Sequence, residues 1–406
     1  MPTAPLLSVA DARARILAEA EPTAPESVDL IEADGRVLAA PLTAARTQPP
    51  FDASAMDGFA VRSADIATLP ATLRLIGESA AGHGFRGRVA TGEAVRIFTG
   101  APVPAGANAI VIQENTTFDA TTVRILEGTP EAGHIRPTGF DFRQGQSFFA
   151  PGHQLNSRDI TLAAALGHAT LPVHRRPSVA IVATGDELVL PGEPTGPDQI
   201  VCSNPFGVAA MVRRAGGAPT FLGIARDDRT HLAATVDLGR DADILVFIGG
   251  ASVGDHDLVG PVLGDLGMKL DFWRIGMRPG KPLMYGRLRH HHVLGLPGNP
   301  VSSMITTRIF LVPLIQAMLG RNDVVAADAR REAHLTVDLG RNGPREHYMR
   351  AISETRPDGT VTVTPVRSQD SSLLTPLSEA DTLIVRPADD PPRAPGEAVH
   401  ILPLDF

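Results

Sequence analysis

The chain of 406 residues has a single cysteine, Cys202. One thiol excludes an intramolecular disulfide and a cysteine-rich zinc site, and it suits a reduced, cytosolic setting. There is no cationic excess: 37 Lys and Arg stand against 45 Asp and Glu, a formal charge of −8. That balance argues against a general nucleic-acid binder. No uninterrupted apolar run reaches the roughly 18 residues that a membrane span needs, so none is expected. Met1–Leu17 lacks the positive segment, apolar core and small-residue cleavage site of a secretory leader. No G-x-x-x-x-G-K-[ST] occurs, and neither a P-loop nor a dinucleotide-enzyme reading finds support.

Glycine and proline are plentiful, 39 and 35 residues, which predicts many turns and short β elements. At about 150 residues per domain the length implies several domains. Ser8 opens a helix, with Asp11 favouring its dipole and Ala10, Ala14, Leu17 and Ala18 at helical spacing. Val28–Ile31 reads as a short strand. From Gln48 to about Phe140 short alternating runs lie between Gly, Pro and Asn turns, the pattern of a small β domain. Arg158–Leu166 returns to helical spacing and is expected to rejoin the first segment. From Pro177 strands alternate with helices, implying a mostly parallel sheet. After Arg321 the pattern is β again. The expected division is 1–47 with 142–176, an inserted β domain at 48–141, an α/β domain at 177–326 and a β domain at 327–406.

The chemistry concentrates in Ile244–Ser302. Two apolar runs, Ile244–Ile248 and Val293–Leu296, break into the turns Gly249-Gly250-Ala251-Ser252-Val253-Gly254-Asp255-His256-Asp257 and Pro297-Gly298-Asn299-Pro300-Val301-Ser302. A buried strand ending in a glycine-rich turn and a helix start offers free N–H groups to an anion. Asp255 and Asp257 could share a hard cation such as Mg2+; a charged helix start is the plainer alternative. Thr184-Gly185-Asp186-Glu187 and Asp227-Asp228 follow two further strands, so three acidic loops would converge on one sheet edge. Between the glycine turns lies Arg278-Pro279-Gly280-Lys281-Pro282, a stiff cationic turn able to hold an oxyanion with little ordering cost. Arg345, Arg350 and Ser371-Ser372 are weaker anion candidates. Thr99 and Cys202 read first as structural, and His290-His291-His292 reads as a polar hairpin.

Taken together these residues resemble the molybdopterin molybdenumtransferase family, to which MoeA and the gephyrin E domain belong. The resemblance runs through Pro50-Phe51-Asp52, Ser54-Ala55-Met56-Asp57-Gly58, Thr99–Pro104, Thr184–Leu188, Gly249–Asp257, Pro279–Pro282 and Leu296–Ser302. It implies a MoaB/MogA-like α/β domain, an inserted β domain and a C-terminal β-barrel-like domain. It also implies a homodimer whose cleft is shared between subunits, adenylylated molybdopterin and molybdate as substrates, and release of AMP with a divalent cation, Mg2+. The adenylyltransferase and molybdoenzyme-maturation proteins would be further partners. By resemblance Asp57, Thr99, Asp141, Glu187, Asp227 and Asp257 are catalytic, with Glu187, Asp227 and Asp257 positioning Mg2+. Lys281, Pro282, Ser302, Arg278, Arg345, Ser371 and Arg350 would face molybdate. Gly249, Gly250, Ser252, Gly254, Gly298 and Asn299 would form the pterin and phosphate loops. Arg274 and Arg278 stand where family members commonly carry Lys. The alternatives are the preceding adenylyl transfer and a pterin-carrying scaffold.

Overall fold

In the computed structural model the described residues are 6–128, 133–250, 258–324 and 330–406. The first helix is Val9–Ala18, with the Ser8 hydroxyl accepting from the Asp11 amide at 3.0 Å. Its inward face is Val9, Ala12 and Ile16, not the expected Ala10, Ala14, Leu17 and Ala18. The larger β-branched pair removes more apolar area from water than an alanine stripe, and burial follows that area. This face packs into the α/β core beside Leu314 and Ile315. The next strand is Pro25–Asp29, earlier than expected, and gives way to a 3₁₀ turn over Leu30–Glu32 that leaves Ile31 exposed.

Pro25–Asp29 pairs antiparallel with Thr170–His174. Leu38 and Leu42 share a core with Phe142, Leu155, Leu166 and Val173, so the chain leaves this core and returns to it. Between departure and return lies a six-stranded sheet, in the order Ala109–Ile112, Gly58–Val61, Glu93–Ile97, Ala71–Ser79, Thr122–Ile125, Thr116–Phe118. One G-x-G-x-x-G run, Gly82–Gly87, sits here. It feeds no helix: a side chain at Gly77 or Gly87 would strike the Phe85 ring at 2.5 or 2.6 Å, so these glycines make room for an aromatic ring.

The α/β unit carries a second six-stranded sheet, ordered Ala218–Ala225, Ser178–Thr184, Ile244–Ile248, His291–Leu296, Met284–Leu288, Lys269–Trp273. The first four strands are parallel, and Met284–Leu288 runs against them, antiparallel to both His291–Leu296 and Lys269–Trp273. Period-two side chains explain its two covered faces. Val179 and Ile181 meet helices Asn204–Arg214 and Pro300–Thr306, while Ala180 and Val182 meet Arg229–Leu238 and Val259–Asp265. Helix Pro300–Met318, continuous through a π turn at Thr307–Leu311, is long and apolar enough for a membrane span but mostly buried in this core. The His290 hairpin is as expected, yet His291 and His292 point inward rather than to water.

In the last unit Arg331–Leu335, Glu346–Thr355, Val361–Pro365, Thr382–Arg386 and Ala398–Pro403 close into a five-stranded barrel, Glu346–Thr355 pairing with both Val361–Pro365 and Thr382–Arg386. Closure leaves no free edge. One strand crosses from the α/β unit: Met277–Arg278 pairs parallel with Glu346 and His347, which carries the cationic turn to the barrel.

Burial pushes the His292 imidazole down to about 3, with Arg287 adding repulsion. Burial, then Arg278, Arg386, Arg345 and Arg350, push His347 to about 4. Both rings stay neutral in the fold, whereas an unfolded chain protonates them below about 6.5. Protons therefore favour unfolding, and stability present above that pH is lost as the pH falls towards 4. Thermal unfolding at pH 7.5 to 4.5 should show a falling Tm, with a shallower fall in a Tyr285→Phe, His292→Leu double variant, which also removes the Tyr285 hydroxyl bonded to this ring. A flat profile in the native sequence would contradict this account.

Candidate functional site

Three parallel strands end side by side at Thr184, Ile248 and Leu296. Gly249, at φ 90°, would place a side chain 2.7 Å from the Thr184 carbonyl oxygen; Gly250, at φ 58°, would meet Val259 at 2.7 Å and the Thr184 hydroxyl at 2.8 Å. Gly298 lies against Gly249, and Asn204 Nδ2 donates to the Gly298 carbonyl at 2.7 Å. At Gly249 and Gly250 only bare backbone fits, and beyond it opens a cavity of about 670 Å³ bordered by Glu187, Asp227, Gly249, Gly250, Gly298 and Ser302.

A second cavity of about 390 Å³ adjoins it, with Pro282, Asn299 and Ser302 in both walls. Its lining includes Arg278, Lys281, Arg345 and Ser371. Gly280, at φ 104°, backs onto Thr306, which a side chain would approach to 2.5 Å. The Lys281 carbonyl accepts from Ile275 and Leu283 amides at 3.0 and 3.1 Å. The turn is therefore fixed from behind while its cations face the cavity wall. Asn299 occupies the helix N-cap position without capping; its Nδ2 donates to Ser371 Oγ at 2.9 Å instead. That contact joins helix and barrel and leaves the Ser371 proton available to a ligand oxygen.

On the other side the acidic loops touch, the Asp227 amide donating to Asp186 Oδ1 at 3.3 Å. Glu187 and Asp227 are both exposed. Among the described residues no three His, Cys, Asp or Glu side chains gather as a metal cage. Mg2+ usually takes one or two carboxylates and completes its shell with water and substrate phosphates. The donor pair Glu187 and Asp227 fits that use. Cys202 lines the same cavity, its thiol pushed up to about 11 by burial and then by Glu187. It stays protonated and is no nucleophile.

Asp57, Thr99 and Asp141 border neither cavity. They sit by the inserted sheet, where Asp57 Oδ1 accepts from the Thr99 amide at 2.7 Å and hydroxyl at 2.8 Å. Those bonds hold the Asp57 carboxyl below the usual range, so it remains an anion. Ser252, Gly254, Asp255 and Asp257 lie outside the described residues.

Arg350 is a correction. Its side chain is buried, and its guanidinium donates to the carbonyls of Leu373, Ser368 and Asp370 at 2.9–3.0 Å. It holds the loop that presents Ser371 and does not face an anion. The sequence reading missed Asn204, which at Ser203-Asn204-Pro205 looks like an ordinary helix start, and Gln369, whose amide brackets the Arg350 backbone at 3.0 and 2.9 Å. Neither carries a local signal, because both act across folds of the chain.

Arg350→Ala should therefore cost about 2–3 kcal/mol of stability, since three carbonyls lose their donor. Arg345→Ala should shift Tm by no more than about 2 °C while weakening molybdate or tungstate binding roughly tenfold. Thermal denaturation and titration calorimetry separate the two; equal Tm losses would contradict this division of roles.

Three family models cover most of the chain: MoeA N-terminal region (domain I and II) at residues 7–167, probable molybdopterin binding domain at 180–317, and MoeA C-terminal region (domain IV) at 332–404. A molybdopterin molybdenumtransferase of Nostoc sp. is 35% identical over 93% of this chain and 88% of its own length. One from Haemophilus influenzae is 32% identical over 98% and 99%. The crystal structure of a molybdopterin biosynthesis MoeA protein from Pyrococcus horikosii superposes with a TM-score of 0.86 at 27% identity, over 99% of this chain and 100% of that one. With its barrel, its parallel sheet and the paired cavities at the sheet's carboxyl edge, the chain belongs to the molybdopterin molybdenumtransferase family, MoeA.

Proposed function

We propose that the protein inserts molybdenum from molybdate into adenylylated molybdopterin, releasing AMP and molybdenum cofactor. The observation that carries this reading is the shared wall of the two cavities. Pro282, Asn299 and Ser302 separate a carboxylate-lined chamber from a cationic one, so a metal-bound pyrophosphate and a tetrahedral dianion can lie side by side. Arg278, Lys281 and Arg345 supply charge-assisted bonds, which are about twice as strong as neutral ones. Ser302 and Ser371 add hydroxyl donors. Because Gly280 is seated on Thr306, the cations need little reorganisation as charge moves, the condition under which electrostatic stabilisation is largest.

Glu187 and Asp227 would hold Mg2+ with the substrate phosphates. The ion would polarise the pyrophosphate and neutralise the leaving nucleotide. The glycine edge at Gly249, Gly250 and Gly298 would take the nucleotide-pterin by backbone contact. We read the active form as a cytosolic homodimer in which Asp57, Thr99 and Asp141 of one copy face the α/β cavity of the other. None of the three borders either cavity within one chain, which supports that arrangement.

Glu187→Gln and Asp227→Asn should each lower AMP release from adenylylated molybdopterin at least tenfold, about the loss expected for one electrostatic group. Native activity in both variants would overturn the assignment, and consumption of ATP with free molybdopterin would point to adenylyl transfer instead. Mixing and refolding inactive Asp57→Asn and Glu187→Gln proteins should restore about a quarter of native activity, because random pairing gives half heterodimers with one intact cleft each. No recovery despite heterodimer formation would contradict the shared cleft.

A further inference from the structure

The loop Gln48–Asp57 carries two matching clamps. Asp57 Oδ1 holds Thr99 through amide and hydroxyl. Five residues earlier Asp52 Oδ1 accepts from the Thr138 amide at 2.8 Å and the Thr138 hydroxyl at 3.0 Å. The partners are 42 and 86 residues away, so neither is a local turn. Backbone bonds complete the grip: Gly139 donates to the Pro49 carbonyl at 2.9 Å and Asp141 to the Gln48 carbonyl at 3.1 Å. The path between Thr138 and Asp141 is narrow. Gly139, at φ 72°, would bring a side chain within 2.8 Å of Arg143.

Asp141 itself is exposed and is aimed by the backbone of this turn. Among the described residues the Asp52 carboxylate is the side chain that anchors the turn's leading end, and the Asp52 carbonyl also accepts from Val103 at 2.8 Å. The geometry points to Asp52 as a positioning residue for Asp141, acting through Thr138 and touching no ligand. The inference rests on the reading above that Asp141 belongs to the transferase site. Misplacement of a reacting group by about 1 Å can cost on the order of a hundredfold in rate, so an anchor of this kind matters to turnover beyond its small share of stability.

The test compares full-length Asp52→Ala, Asp52→Asn, Asp141→Asn and the Asp52→Ala, Asp141→Asn double variant by AMP release with molybdate present. Expected are a kcat loss of about tenfold or more for Asp141→Asn and a similar loss for Asp52→Ala with KM little changed. Asp52→Asn, whose amide oxygen still accepts from Thr138, should stay within about threefold. In the Asp141→Asn background Asp52→Ala should cost no more than about twofold, the non-additivity of one linked unit. Amide exchange at Thr138–Asp141 should speed up in Asp52→Ala. Multiplying losses in the double variant, or native kcat in Asp52→Ala with faster exchange, would overturn the positioning role while leaving the Asp141 reading intact. Native activity in Asp141→Asn would overturn that reading and the positioning role together. Should Asp52→Ala fail to fold, Thr138→Val, which keeps the amide donor and loses the hydroxyl, gives the same comparison.

Discussion

The carboxyl edge of the parallel sheet is packed too closely for side chains. Beside the strand ends at Thr184, Ile248 and Leu296 there is room only for the backbone of Gly249 and Gly250, with Gly298 lying against Gly249. Everything chemical in the α/β unit is arranged around that constraint. A bare edge lets a ligand approach main-chain amides, and the loops that leave it carry Glu187 and Asp227 outward to the cavity rim. A larger residue at Gly249 would have to move the Thr184 carbonyl, and with it the end of strand Ser178–Thr184.

The cationic half of the site depends on a joint between units. Met277–Arg278 pairs with Glu346–His347, so the turn ending at Lys281 and the barrel residue Arg345 reach the same cavity. Asn299 and Ser371 make a second joint. Two arginines five residues apart have opposite fates here. Arg345 borders the cavity, whereas Arg350 is buried and spends its donors on three carbonyls. Three cationic side chains gather at one cavity that also has Asp370 in its wall, and the His347 imidazole is kept neutral first by burial and then by repulsion from Arg278, Arg386, Arg345 and Arg350.

Much of this is legible in the sequence. The strands Ala109–Ile112 and Ile244–Ile248 and the helices around Asn204 and Thr230 stand where period and turn residues put them. Strand-then-glycine and the Arg278–Pro282 turn marked the site, because glycine and proline carry their conformational meaning locally. What could not be read depended on contacts distant in sequence. The inward face of the first helix is chosen by Leu314 and Ile315, nearly 300 residues on. The burial of Arg350 is set by the carbonyls of 368–373, and Asn299, placed at a helix N-cap, turns its side chain to Ser371 instead. The clamp of Asp52 on Thr138 leaves no pattern at either end of the sequence.

The central claim is that one rigid basic turn and the barrel form a single oxyanion seat beside the carboxylate chamber. Diffraction from crystals soaked in tungstate at its anomalous edge tests it most directly. The account predicts one strong anomalous peak within hydrogen-bonding reach of Lys281, Arg345, Ser302 and Ser371. A peak elsewhere on the molecule, with that seat empty at saturating tungstate, would contradict it.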